Sequence, residues 1–376
     1  MKFATSTFTV LALTLAVVKA QVQIKIDATK YPALQGTPDV KHPQVQAWLK
    51  EIDLTGAPTF ALRKGAPPEC PAKPDPAECI WTCDGCAQED ITACGAANTW
   101  GVTFDDGPSI YTPPLLDFLK QNKVPATFFL IGGNVIQNPD IVKRELDEGH
   151  HLASHTWSHS ALTTLTNEQI VAEMKWTEKA VQEATGVRLK YMRPPYGDIN
   201  NRVRFVLKKL GYKVVDWTGD EFDTKDWQIG ASVTAVDASG KSSSHVYTET
   251  EALNHFKTSL DQYAASAKTK GFYCLEHDIK EVEVNFAKKL IPMGQQHQSD
   301  AQPYQEGGVM PPSGNKGNNT NAGNGNGNGT NNGNTTNPTI VHNKNGTDTK
   351  SAGIKSAGGL SVVIAAAAVA AGAILA

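Results

Sequence analysis

The chain has 376 residues, 40% of them hydrophobic, 19% charged and 7% aromatic, with a formal net charge of −3. That is enough for one large globular domain or two small ones. No basic cluster interleaves with aromatics and no basic amphipathic helix occurs, which argues against nucleic acid as a partner and against a helix lying on a membrane surface.

Residues 1–20 carry Lys2, an apolar stretch, and the small residues Val18 and Ala20 just before Gln21. This is the pattern of a secretory signal peptide, with Gln21 as the mature start. Setting aside Lys2, Lys19 and Lys355 of the tail leaves 32 basic against 38 acidic residues, a net charge of −6.

Residues 21–97 read as an irregular extension, rich in proline (Pro67, Pro68, Pro71, Pro74, Pro76), with one helix over Pro43–Glu51. Cys70, Cys79, Cys83, Cys86 and Cys94 fall within 25 residues, while Cys274 stands alone downstream. Behind a signal peptide, an even count predicts disulfides rather than a metal knot, despite the C-x-x-C of Cys83 and Cys86. Six cysteines allow fifteen connectivities and the spacing does not choose among them. If all six are bridged, at least one of the five pairs with Cys274.

From Asn98 to about residue 295 the pattern changes. Strands are predicted at TWGVTF, ATFFLIG, HHLASH, LKYMRPP, YKVVDW and GFYCLEH. Helices fall between them at Leu115–Gln121, Pro139–Gly149, Asn167–Gly186, Asn201–Leu210 and Glu251–Lys268. Such alternation means an α/β fold with a parallel sheet, open or closed, and a barrel-like form is expected. Functional residues should then sit at the carboxyl ends of the strands. The polar stretch Ile229–Thr250 reads equally as a substrate loop or a surface excursion.

Residues 296–350 form a tail with ten Asn and seven Gly in positions 314–336, a composition that cannot bury a core. All four N-x-[ST] sequons, at Asn318, Asn328, Asn334 and Asn345, lie there, so a glycosylated stalk is expected. Within 351–376, small residues beginning at Ser351, a short spacer and an uncharged apolar terminus match a glycolipid-anchor signal. A terminal membrane helix is the alternative.

The chemistry-bearing residues gather at five predicted strand ends. TFDDG brings Asp105 and Asp106 side by side, two carboxylates that repel unless a cation lies between them or one is protonated. HTWSH places His155 and His159 four apart, a spacing that lets both imidazoles share a metal, and zinc accepts His nitrogen with carboxylate oxygen. RPPYG offers Arg193, suited to bidentate contact with a carboxylate, before a stiff proline turn. DTKDW and LEHD add Asp223, Asp226, Trp227, Leu275 and His277. His150 and His151 read as ordinary loop residues.

In that order, these five motifs resemble those of polysaccharide deacetylases, the metal-dependent carbohydrate esterases of family four with a NodB-homology domain. The likeness covers about 98–290 and is greatest to fungal chitin deacetylases. The resemblance implies a distorted (β/α) barrel and hydrolysis of N-acetyl groups on N-acetylglucosamine units of chitin, to give chitosan and acetate. It implies a metal, zinc or cobalt, on Asp106, His155 and His159, and Asp105 as general base held by Arg193. The backbone N–H of Tyr196 would complete the oxyanion hole. His277 would be the general acid, oriented by Asp226 or, as the weaker choice, Asp223. Trp227 and Leu275 would line the acetyl pocket, with Tyr196 also touching substrate. The same catalytic set serves peptidoglycan or acetylated xylan, and a catalytically silent wall-binding protein is the alternative from another class. A glycolipid-anchored monomer at the plasma membrane or wall is expected, with no nucleic-acid partner.

Overall fold

A computed structural model describes residues 23–297, apart from 96, 98, 237–241 and 266–268. Residues 1–20, expected to be a signal peptide, and Asn318, Asn328, Asn334, Asn345 and Ser351 lie outside the described residues. In chain order the elements are α1 (Pro43–Glu51), α2 (Trp81–Asp84), β1 (Trp100–Gly101), β2 (Thr103–Asp105), α3 (Thr112–Asn122), β3 (Thr127–Leu130), α4 (Gly132–Gln137), α5 (Pro139–Asp147) and β4 (His151–Ser154). Then come α6 (Asn167–Thr185), β5 (Tyr191–Met192), α7 (Asn201–Lys209), β6 (Lys213–Val214), β7 (Ser232–Val236), β8 (Ser242–Val246), α8 (Glu249–Ala265), β9 (Phe272–Tyr273), β10 (Glu276–His277) and α9 (Glu281–His297).

Apolar runs with no polar face must be covered on both sides, and that is where a parallel sheet puts them. Six strands pair in parallel in the order β10-β2-β3-β4-β5-β6, and β1 pairs with β9 alongside. Beyond β6 the chain swings back: the Thr218 N–H donates to the Tyr273 carbonyl at 3.1 Å, and Asp223 bridges to Leu275. This return fits the distorted barrel. Phe104, Phe128, Leu115 and Leu116 are at most 1% exposed, each contributing about 1.5–3 kcal/mol of apolar burial. Because the strands are parallel, their carboxyl ends, and the motifs on them, open on one face.

The longest connecting helix has a clear local cause at each end. Thr166 and Gln169 form a reciprocal capping box at the start of α6, and Gly186 ends it in a left-handed conformation. Its Ile170, Val171, Met174, Ala180 and Val181 are buried, as their spacing predicts. The extension packs onto this helix and the loop beside it. Tyr31 stacks on Trp157 at 5.8 Å, Trp48 meets the edge of Trp176 at 5.0 Å, and Trp157 Nε1 donates to the Ala33 carbonyl at 2.9 Å.

Several expectations need correction. Cys70 bridges Cys83 and Cys79 bridges Cys86, but Cys94 and Cys274 are buried free thiols, so no bond joins the cluster to Cys274. Each thiol has its own acceptor: Cys94 donates to the Phe272 carbonyl at 3.2 Å, and Cys274 to Glu276 Oε1 at 2.9 Å. Burial pushes Cys94 up to about 11 and raises Cys274 well above its ordinary value, which keeps both protonated. His150 does lie in the loop before β4, whereas His151 belongs to the strand, and neither is at the surface. Both are buried, His151 opening β4 and His150 Nδ1 accepting the Ala126 N–H at 3.2 Å. The polar stretch after the fourth motif, read equally as a substrate loop or a surface excursion, holds an antiparallel strand pair, β7 with β8, which fits either reading. Among the described residues no helix is long and apolar enough to cross a membrane.

Candidate active site

Register delivers the first pairing. β10 lies beside β2 with His277 opposite Asp105, so the two motifs farthest apart in sequence become neighbours. The chain then turns sharply after Asp105. Asp106 adopts φ +75°, and a Cβ on Gly107 would lie 2.4 Å from Asp278 Oδ1, so only glycine fits there.

Asp105 is 2% exposed and accepts a hydrogen bond from Arg193 Nη1 at 2.8 Å. The guanidinium is fully buried, and the same nitrogen donates to Thr103 Oγ1 at 2.7 Å while Nε donates to the Val215 carbonyl at 3.2 Å. Arg193 also stacks over the Phe129 ring at 4.2 Å. A buried carboxylate so held is oriented and kept apart from bulk water.

Asp106, His155 and His159 converge, each presenting a donor atom within 4.8 Å of the others. Asp106 Oδ1 lies 3.3 Å from His155 Nε2 and 3.2 Å from His159 Nε2. His155 Nδ1 sits 2.8 Å from the Arg193 carbonyl, which accepts only, so that nitrogen carries the proton and Nε2 faces Asp106 as a lone pair. Asp106 Oδ1 is buried and has no hydrogen-bond partner. Acceptors pointed at one another in a buried space are an arrangement that a cation satisfies, and a carboxylate with two imidazoles is a zinc-type donor set. Burial alone would raise Asp106, but the charge that His159 carries at low pH, with the other imidazoles around it, holds it well below the usual carboxylate range. Burial pushes His159 down to about 4, keeping it neutral and free to ligate.

The other wall is built from the fourth and fifth motifs. Asp226, 1% exposed, takes His277 Nδ1 on Oδ1 at 2.8 Å and the His277 backbone N–H on Oδ2 at 2.7 Å. Oδ1 also accepts the Trp227 N–H at 2.8 Å. Burial would lower His277, yet Asp226, with Asp106 and Asp105 behind it, holds the imidazole well above its ordinary value. Asp223 does not meet His277: it pairs with Lys225 at 2.8 Å. Leu275 is buried, and Tyr196 and Trp227 are each 37% exposed at the rim, with the Tyr196 ring 4.5 Å from that of His159.

Sequence reading passed over Thr103, Asn134 and Glu173. Thr103 bonds the buried guanidinium. The Asn134 side chain donates to the Asp106 carbonyl at 2.7 Å. Glu173 Oε2 accepts the N–H groups of Trp157 and Ser158 at 2.8 and 2.9 Å. Asn134 and Glu173 stand in no motif at a strand end, and Thr103, though it opens TFDDG, shows its role only through contacts across the fold.

Residues 92–215 match the family model described as "Polysaccharide deacetylase". Chitin deacetylase 1 of Cryptococcus neoformans var. grubii is 40% identical over 269 residues, which is 69% of this chain and 54% of that protein. Chitin deacetylase 1 of Saccharomyces cerevisiae is 39% identical over 264 residues, covering 70% of this chain and 77% of that one. The chain thus spans about half the length of the first of these curated relatives. The solved chitin deacetylase from Colletotrichum lindemuthianum is 30% identical, with a TM-score of 0.47, over 56% of this chain and 86% of its own. The chain belongs to the polysaccharide deacetylase family, the carbohydrate esterases of family four.

Proposed function

We propose that the chain hydrolyses the N-acetyl group of N-acetylglucosamine units in chitin, leaving chitosan and acetate. The observation that carries this is the meeting of two unlike groups at neighbouring strand ends. The Arg193-held Asp105 carboxylate lies beside the Asp106–His155–His159 triad, and on the adjoining strand is a His277 imidazole that Asp226 holds above its ordinary value. Relatives named chitin deacetylases support the substrate.

The triad's donor set would hold zinc or cobalt, which supplies a Lewis acid for the acyl carbonyl and acidifies a water. Asp105 accepts the proton of the attacking water, its second oxygen left available because Arg193 engages Oδ1. The Tyr196 N–H would donate to the carbonyl oxygen as charge gathers on it. His277, charged through Asp226, gives a proton to the amide nitrogen as the C–N bond breaks, so the amine leaves neutral and acetate carries the new C–O bond. Trp227, Tyr196 and Leu275 would form the apolar wall against the acetyl methyl and the sugar.

The signal sequence, sequon-bearing tail and anchor-like terminus support a secreted, glycosylated protein held at the cell surface by a glycolipid. Acetate release by the secreted chain, assayed side by side on chitin oligomers, peptidoglycan fragments and acetylxylan, with chelator and with zinc restored, tests the reading. Metal-dependent release from chitin oligomers supports it. Release from another polymer alone moves the substrate, and no release from any of them removes catalysis.

A further inference from the structure

Two of the three residues of the triad have backbones that L-residues avoid. Asp106 has φ +75° and His159 φ +58°, and Thr156, inside the His155–His159 loop, has φ +68°. Non-glycine residues stay left-handed only where surrounding contacts over-determine them. The ligand spacing therefore depends on whatever fixes these two loops.

The contacts come from two helices outside the motifs. Helix α4 touches both loops at once. The N–H groups of Gly132 and Gly133 donate to the carbonyls of Thr156 and Trp157 at 2.9 and 3.1 Å, and the Ile131 N–H just before them donates to the Gly107 carbonyl at 3.0 Å. From the same helix Asn134 Nδ2 reaches the Asp106 carbonyl at 2.7 Å, and Asn138 Nδ2 the Pro108 carbonyl at 3.2 Å. Helix α6 grips the second loop from behind. Its fully buried Glu173 accepts the Trp157 and Ser158 N–H groups on Oε2 and the Ser158 hydroxyl on Oε1 at 2.6 Å. Within that loop Thr156 Oγ1 accepts the His159 N–H at 3.1 Å. Close approach is needed for this: a Cβ on Gly132 would lie 2.5 Å from Trp157, and one on Gly133 2.3 Å from the Leu34 carbonyl.

We infer that Asn134 and Glu173 are positioning residues for the metal triad: Asn134 fixes the carbonyl of Asp106, and Glu173 fixes the peptide units between His155 and His159. Neither touches the ligand atoms. Both act by holding left-handed backbone that would otherwise relax and spread the three donors apart. This rests on the metal reading proposed above, since the property being set is the triad's affinity for a cation.

Zinc affinity of the full secreted chain, stripped with chelator and retitrated against a chromogenic chelator, is the test. Asn134→Leu keeps the side chain's size but removes its donor. Glu173→Ala removes the acceptor, whereas Glu173→Gln keeps an oxygen for the two N–H groups and leaves an amide for Ser158 Oγ. Loss of an outer partner typically costs about 10–100-fold in metal affinity. N134L and E173A are expected to weaken zinc binding by that factor, with E173Q close to wild type. Rescue by glutamine separates orientation of the loop from burial of a charge. If N134L binds zinc as tightly as wild type, the assignment of Asn134 fails; if E173Q binds as weakly as E173A, that of Glu173 fails. Should E173A not fold, N134L and E173Q decide. A wild-type chain that takes up no zinc would instead remove the metal reading itself.

Discussion

Replacing Asp226 with Asn tests the acid half of the site. Asp226 accepts three N–H groups on two oxygens: His277 Nδ1, the His277 backbone and the Trp227 backbone, all within 2.8 Å. An asparagine has one acceptor oxygen, so its NH₂ must face at least one of these donors. If it faces Nδ1, the ring loses both its proton there and its counter-charge. A unit charge pair at roughly 3 Å is worth on the order of 5 kcal/mol at an effective dielectric near 20, an upper bound of about four pKa units. Burial, which lowers His277, then acts with less opposition.

The direction follows from the sign of that shift. His277 is held above its ordinary value in the folded chain, so its acid form is lost only as pH rises through that raised value. D226N brings that value down, and the alkaline limb of kcat/KM should move to lower pH by about two units or more. At neutral pH the rate should fall by roughly 10²–10⁴, the usual worth of a positioned acid. Acetate release from chitin oligomers at saturating zinc, from mildly acidic to alkaline pH, measures both. If the rate falls while the alkaline limb stays in place, His277 is not the proton donor. If neither changes, Asp226 has no part in the reaction.

The remaining expectations concern the base, the thiols and a buried acid. Asp105→Asn should abolish turnover with the fold intact by circular dichroism, and residual activity within tenfold of wild type would refute Asp105 as base. With no reductant present, two thiols, those of Cys94 and Cys274, should react with an aromatic disulfide only after denaturation. Finding none would mean that these two cysteines are bridged. Burial pushes Glu276 up to about 8, so it is neutral in the fold but ionised in the unfolded chain over the window from its ordinary 4.5 to that value. Its contribution to stability therefore falls as pH rises, and between about pH 6.5 and 8 Glu276→Gln should remove a loss of about 2 kcal/mol, read by chemical denaturation at the two pH values. A difference between variant and wild type that does not change with pH would refute this.

How far the sequence could be read depended on whether a contact was local. The run at Thr127–Leu130 is apolar enough that only a buried strand accommodates it, and the turns after Asp105 and His155 follow from where β2 and β4 stop. The residues alone showed Asp226 and His277 only as types at strand ends, and it was the family resemblance that implied Asp226 as the partner of His277. Their bond depends on the chain returning past β6 to meet Leu275, which no spacing encodes. Helix α4 was hidden because ATFFLIG continues as apolar sequence into Gly132 and Gly133. Those two glycines serve close packing against Trp157 and Leu34 rather than ending the chain's regular structure. The cysteines misled for a different reason: an even count says nothing about two thiols that each find a hydrogen-bond acceptor in the core.

Those hidden contacts fall into a pattern that bears on function. The residues that would touch substrate or metal sit at strand ends, where sequence displays them, while those that fix their geometry sit on helices and are spread through the chain. Arg193 joins the two sets, since its side chain grips Asp105 and its own carbonyl fixes the ring of His155. One residue thereby orients both the proposed base and a proposed metal ligand, and its side chain and its backbone answer to different substitutions. Arg193→Lys leaves the carbonyl in place, so it should disturb Asp105 while His155 keeps its tautomer, and zinc affinity should survive a loss of rate. A parallel loss of zinc and rate in R193K would show that the two roles are not separable, and that the buried guanidinium supports the whole strand end rather than one carboxylate.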